Sequence, residues 1–145
     1  MKYAGALALL TAASLYAQAD LKPLAFLEGT WDAKTTTGTA AAVGTYTFAK
    51  ELNGHILARH SSAGDHLDLL YIYPEGAALK AIYFDNEGHT IHYTVSTPDS
   101  RTAVFLSDQF RLIYELKDGV MSGKFQIRNQ TDWKSYLEWT GPKKP

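Results

Sequence analysis

Five histidines stand out in this 145-residue chain, because imidazole titrates near neutral pH and is a common metal ligand. Their spacing limits what they can do. His89 and His92 are three apart and His55 and His60 are five apart. Odd separations on a regular strand send side chains to opposite faces, so neither pair chelates. His60 and His66 flank one turn and could meet across a hairpin, but no third ligand accompanies them. No metal centre and no cofactor is expected. His89 follows Gly88 in a turn and reads as solvated. His92 has two readings if its face is interior. It orients a ligand, or it hydrogen-bonds Tyr71, Tyr83 or Tyr114 as a satisfied core histidine.

Arg111 and Glu115 share one strand face, with Lys124 and Arg128 on the neighbouring strand. They could form an acid/base pair within an interior. The opposite face of both strands is apolar, so a cross-strand charge ladder on the outside is the preferred reading. The chain contains no cysteine, which excludes thiol catalysis, disulfides and Cys-ligated zinc. It lacks a Gly-x-Ser-x-Gly elbow, a phosphate loop and a dinucleotide fingerprint. Asn129-Gln130-Thr131 is a glycosylation sequon, meaningful only in a eukaryotic secretory pathway.

These residues need a scaffold, and the pattern is of strands. Helical periodicity is confined to a short stretch, Lys22 to Leu27. After it, runs of β-formers are bounded by turn signals at steps of about 9 to 13 residues, the mark of an all-β sandwich or barrel. The runs start at Thr30, Val43, His55, Leu67, Leu79, Thr90, Thr102, Phe110, Val120 and Trp133. Asn53-Gly54 is a strong hairpin signal. Every link is too short for a crossover. A meander of this length twists and closes on itself, removing its edges. The expectation is a roughly ten-stranded antiparallel up-and-down β-barrel with a short helical turn before strand 1; a sandwich is the runner-up. Alternation sorts the faces. Leu67, Leu69, Tyr71 and Tyr73 form the aromatic-rich face of one strand. Trp133, Ser135, Leu137 and Trp139 share a face on the last strand.

Residues 1–19 read as a signal peptide: Lys2, an apolar run and Ala17-Gln18-Ala19. That makes residues 20–145 the barrel domain and its destination secreted or periplasmic. Removing Lys2 shifts the net charge from -1 to -2. Such a balance is no footprint for nucleic acid, and no stable membrane insertion is expected.

Leu21, Leu24, Phe26, Leu27, Gly29 and Trp31, followed by the meander and by YFDNEGHTIHYTVS and YLEWTG, resemble the calycin superfamily of lipocalin-like barrels. The likeness is to secreted bacterial lipocalin-like proteins, related in pattern to fatty-acid-binding and nitrobindin-like barrels. The resemblance implies that Trp31 plugs one end of the barrel, with Gly29 permitting the approach. Lipocalins place an Arg near the end of the last strand to stack on that Trp; this chain offers Lys143 and Lys144. The late haem-binding His of nitrobindin-like barrels is missing, since no His follows His92. The function implied is binding of a small hydrophobic or amphipathic molecule, with Tyr71, Tyr83, His92, Tyr114 and Phe125 as candidate ligand-binding residues. An acid/base lyase or isomerase, of the kind phenolic-acid decarboxylases build in such barrels from Tyr, Arg and Glu, is an alternative. A structural or envelope-interaction barrel with a filled interior is another.

Overall fold

β-Branched and aromatic residues at alternate positions need a pleated surface with one side out of water. The computed structural model describes residues 17–37 and 43–145 and shows how that surface closes. The strands are β1 (Gly29–Thr35), β2 (Val43–Glu51), β3 (Ile56–Ala63), β4 (His66–Glu75), β5 (Ala78–Asp85), β6 (Thr90–Asp99), β7 (Thr102–Leu106), β8 (Phe110–Lys117), β9 (Val120–Asn129) and β10 (Asp132–Pro142). Each pairs antiparallel with its sequence neighbours, and β1 pairs β10 to close the barrel. The expected ten-strand up-and-down barrel is therefore observed, with a 3-10 turn at Lys22–Leu27 before β1. The sandwich alternative falls, because the ten strands form one closed sheet. The first sixteen residues of the signal-peptide reading and part of the β1–β2 turn lie outside the described residues. Among the described residues no helix is long and apolar enough to cross a membrane.

The hairpins follow from local chemistry. Between β2 and β3, Leu52, Asn53 and Gly54 all take positive φ, a conformation that Asn and Gly accept most readily. Asp118 and Gly119 do the same between β8 and β9, as a two-residue hairpin turn requires.

One end of the barrel is closed by the lead-in. The 3-10 turn joins β1 yet touches β6, which lies diametrically opposite in the strand order. Ala19 N–H also donates to Gly76 O in the β4–β5 turn, at 2.8 Å. Leu24 and Leu27 are fully buried beneath this span, each contributing about 2 kcal/mol of burial. Trp31 sits among them, 2% exposed. Its indole N–H donates to Leu27 O at 2.8 Å. The Lys143 ammonium lies 5.6 Å from the centre of the Trp31 ring. Lys143, one of the two lysines offered for that place, is thus the cation over the Trp31 ring. Gly29 has φ +122°, and a Cβ there would collide with the Lys143 stem. Glu28 is a surface residue paired with Lys50 at 3.3 Å.

Two face assignments are corrected. On β4 the inner residues are Asp68, Leu70 and Ile72, all buried, while Leu67, Leu69, Tyr71 and Tyr73 face outward. The charge on Asp68 masks the inner face in the sequence; its partner, Arg59 on β3, makes burial tolerable. On β10, a β-bulge lies between Ser135 and Leu137. Tyr136 is the extra residue, so Trp133 and Ser135 face outward while Leu137 and Trp139 face inward. A bulge changes parity without any break in the apolar pattern.

Candidate functional site

The inner face carries a cluster of rings among aliphatic side chains. Tyr114 is at their hub, fully buried, with Tyr46, Phe48, Phe105 and Trp139 centred within 6.1 Å of its own ring. Among these rings sits one cation. Arg59 is 5% exposed and projects inward from β3. Its guanidinium donates to the Tyr114 hydroxyl and to Asp68 Oδ1. Its carbon also lies 6.0 Å from the ring centres of both Tyr83 and Tyr114. Burial opposes the positive charge, but Tyr114 and Asp68 outweigh it and the pKa of Arg59 is raised. Burial raises the phenols of Tyr46, Tyr83, Tyr93 and Tyr114 above the ordinary tyrosine value. They are neutral hydroxyls at physiological pH, able to donate.

Three buried polar atoms in this cluster, Tyr46 Oη, Arg59 Nε and Trp139 Nε1, make no hydrogen bond of good geometry among the described residues, although the Trp139 indole lies close enough to Tyr46 to lower its pKa against the effect of burial. Unpaired buried polar groups each cost about 1–3 kcal/mol, so three in one neighbourhood mark a place with unused capacity for an acceptor. Asp68 already balances the Arg59 charge, so what the site offers is hydrogen-bond donors, the Arg59 Nε among them, in an apolar surround, which suits an acceptor such as a carboxylate oxygen.

Tyr83, Tyr114 and Phe125 of the sequence candidates face the interior. Tyr83 and Phe125 are half-buried, nearer the end opposite Trp31, and Phe125 stacks on Phe110 at 5.6 Å. Tyr71 and His92 are not with them. Tyr71 lies on the outer face, edge-on to His60 at 6.4 Å. His92 is exposed, and its neighbours Ile91 and Tyr93 take the inner face. It hydrogen-bonds none of the three tyrosines considered for it. Two grooves accompany these residues. One, of about 770 Å³, includes Ile91, His92, Tyr93 and Phe110. It lies where Thr90 to Tyr93 extend past the last β6–β7 pair, Thr94 with Leu106. The other, of about 660 Å³, includes Thr47, His60, Leu69 and Phe84.

The outward placement of Arg111, Lys124 and Arg128 agrees with the ladder reading, but the pairing differs. Arg111 Nε donates to Gln126 Oε1 at 2.7 Å. Lys124 pairs Glu138 at 3.4 Å. The guanidinium carbons of Arg111 and Arg128 lie 4.7 and 4.9 Å from the centre of the Trp133 ring. Glu115 joins neither arginine. His60 and His66 do not meet either: His60 faces outward to Glu51 at 2.9 Å, while His66 shares the inner face with Asp68. Instead His66 lies beside Asp85 and Glu87 at the barrel rim.

Sequence reasoning misses Arg59, Asp68, Tyr46 and Trp139. Their only signal is a pair of charged residues at mid-strand positions of adjacent strands, Arg59 in ILARHSSA and Asp68 in HLDLLYIY. No protein-family model matches the chain, and no curated protein matches it.

Proposed function

We propose that the barrel binds one small amphipathic molecule whose anionic end, a carboxylate or similar oxyanion, is taken by Arg59. Tyr46, Tyr114 and Trp139 donate alongside, and the apolar part lies along Tyr83, Ile91, Phe110 and Phe125 toward the end opposite the Trp31 closure. The observation that carries this reading is the buried Arg59 guanidinium with its Nε unpaired, beside the neighbouring Tyr46 hydroxyl and Trp139 indole N–H, which make no hydrogen bond of good geometry. Half-buried rings at that end support it as the mouth, since ligand sites are mostly apolar with a few placed polar groups. The closed barrel, the Gly29-Thr30-Trp31 start of β1 and Lys143 over Trp31 support placement in the calycin superfamily. The leader-like residues 1–19 support export to the periplasm or the exterior.

Calorimetric titration of dodecanoate, with dodecanol as an uncharged control, tests this. The carboxylate should bind at least about tenfold more tightly, a difference of about 1.4 kcal/mol. The Arg59→Met/Asp68→Leu double variant should abolish that preference. If neither molecule binds, the reading is wrong. A filled structural barrel is the second reading, favoured by large side chains that are 2% exposed or less among the described residues, Trp31, Phe48 and Phe105 included.

A further inference from the structure

The β3–β4 and β5–β6 turns lie at the same end of the barrel, because alternate turns of a meander share an end. His66, at the start of β4, therefore stands beside the residues of the β5–β6 turn. One ligand atom each from His66, Asp85 and Glu87 falls within 4.8 Å of the others. His89 joins them, its Nδ1 2.8 Å from Asp85 Oδ2 and 3.9 Å from Glu87 Oε2.

Three observations separate this cluster from an ordinary set of surface ion pairs. Asp85 is already held in place. Its Oδ1 accepts the backbone N–H groups of Glu87 at 3.0 Å and His89 at 2.9 Å, and its Oδ2 accepts the Tyr83 hydroxyl at 3.1 Å. Its side chain is 4% exposed, so it is a preorganised oxygen donor at the inner wall. His66 is oriented from behind. Its Nε2 lies 3.3 Å from Asp68 Oδ2, and its Nδ1 faces Glu87 Oε1 at 3.5 Å. Metal-binding imidazoles usually give their second ring nitrogen to a carboxylate in this way, and Asp68 is anchored by Arg59. The charges also point to a cation. Asp68 and Asp85 are direct cross-strand partners, where like charges repel. With Glu87 they set three carboxylates against the single Arg59 guanidinium.

We propose that this rim binds one first-row divalent cation, represented by Zn²⁺, through His66 Nδ1, Asp85 Oδ2, Glu87 and His89. Mixed imidazole and carboxylate donors suit Zn²⁺ and its neighbours. Closing to bonds of about 2.0–2.2 Å asks most of Glu87 and His89, whose exposed side chains are free to swing inward. The site shares Asp68 with the interior pair, through His66 on one side and Arg59 on the other, and faces the same end of the barrel.

The test uses the full chain stripped with a chelator. Zn²⁺ is titrated calorimetrically, and Co²⁺ is followed by its visible absorption. One ion should bind per chain. His66→Gln and His89→Gln should each weaken binding by about tenfold or more and quench the Co²⁺ bands, by the scale of ligand-shell substitutions. His60→Gln, on the outer face, should leave both unchanged. His89 is a turn residue exposed to solvent, so its replacement spares the fold. Failure to reach saturation, or unchanged affinity in both the His66→Gln and His89→Gln variants, overturns the assignment.

Discussion

Replacing Asp68 by Leu removes the acidic half of the pair at the centre of the barrel. Arg59 and Asp68 are 5% and 8% exposed, so neither group recovers solvent when its partner goes. Breaking a buried pair typically costs about 3–5 kcal/mol, because a charge is left uncompensated. The two single variants should not be equal. Asp68→Leu leaves Arg59 with a neutral acceptor, Tyr114, and belongs near the upper end of that range. Arg59→Met leaves Asp68 with His66 at 3.3 Å and belongs near the lower end. The double variant Arg59→Met/Asp68→Leu removes both charges and fills the space with apolar volume. It should fall within about 1–2 kcal/mol of the parent. The assay is urea unfolding followed by tryptophan fluorescence, with stabilities taken from midpoints at constant m. The coupling between the two sites should then be about 3 kcal/mol or more. Two single variants that each cost under about 1 kcal/mol and add without coupling would refute the account of Arg59 and Asp68 as one buried unit.

Asp85 titrates well below the usual carboxylate range, at about 2. Burial opposes its ionisation, but hydrogen bonds from the His89 backbone and ring, the Tyr83 hydroxyl and the Glu87 backbone overcome it. A depressed folded-state pKa gives stability that is present above the unfolded value of about 4 and lost as pH falls through about 2. Urea midpoints should therefore drop between pH 4 and pH 2, and Asp85→Asn should flatten that drop while lowering the midpoint at pH 7. Gly123 faces the Trp139 indole so closely that any Cβ would overlap it. Gly123→Ala should cost about 1–3 kcal/mol by overpacking and change the fluorescence of Trp139. Lys143→Ala should cost about 0.5–1 kcal/mol through loss of the cation over Trp31, with Lys143→Arg restoring it in thermal unfolding.

The strands and their turns were legible because each is a local matter. Asn53-Gly54 and Asp118-Gly119 announce hairpins by their tolerance of positive φ. Period-2 runs between such turns need only neighbours to pair with, and short links leave the sequence neighbour as the cheapest choice. The direction of a strand's faces is not local. β4 offers Leu67, Leu69 and Tyr71 on one side and Asp68, Leu70 and Ile72 on the other, and hydropathy prefers the side that the barrel turns outward. The bulge at Tyr136 is equally silent, since it adds one residue to a run that still reads as a strand.

The sequence by itself determined an antiparallel meander of about ten strands with a short helical turn, Lys22 to Leu27, before the first. Propensity, alternation and turn chemistry act over a few residues at a time, and all of them agree. Only the tertiary structure decided what the barrel encloses. Arg59 and Asp68 reveal their relation through the β3–β4 register, and His66 reaches Asp85 because two hairpin turns share one end of a closed sheet. A charge can lie inside only where its partner is delivered to it, and that delivery depends on register and closure rather than on any one stretch of chain.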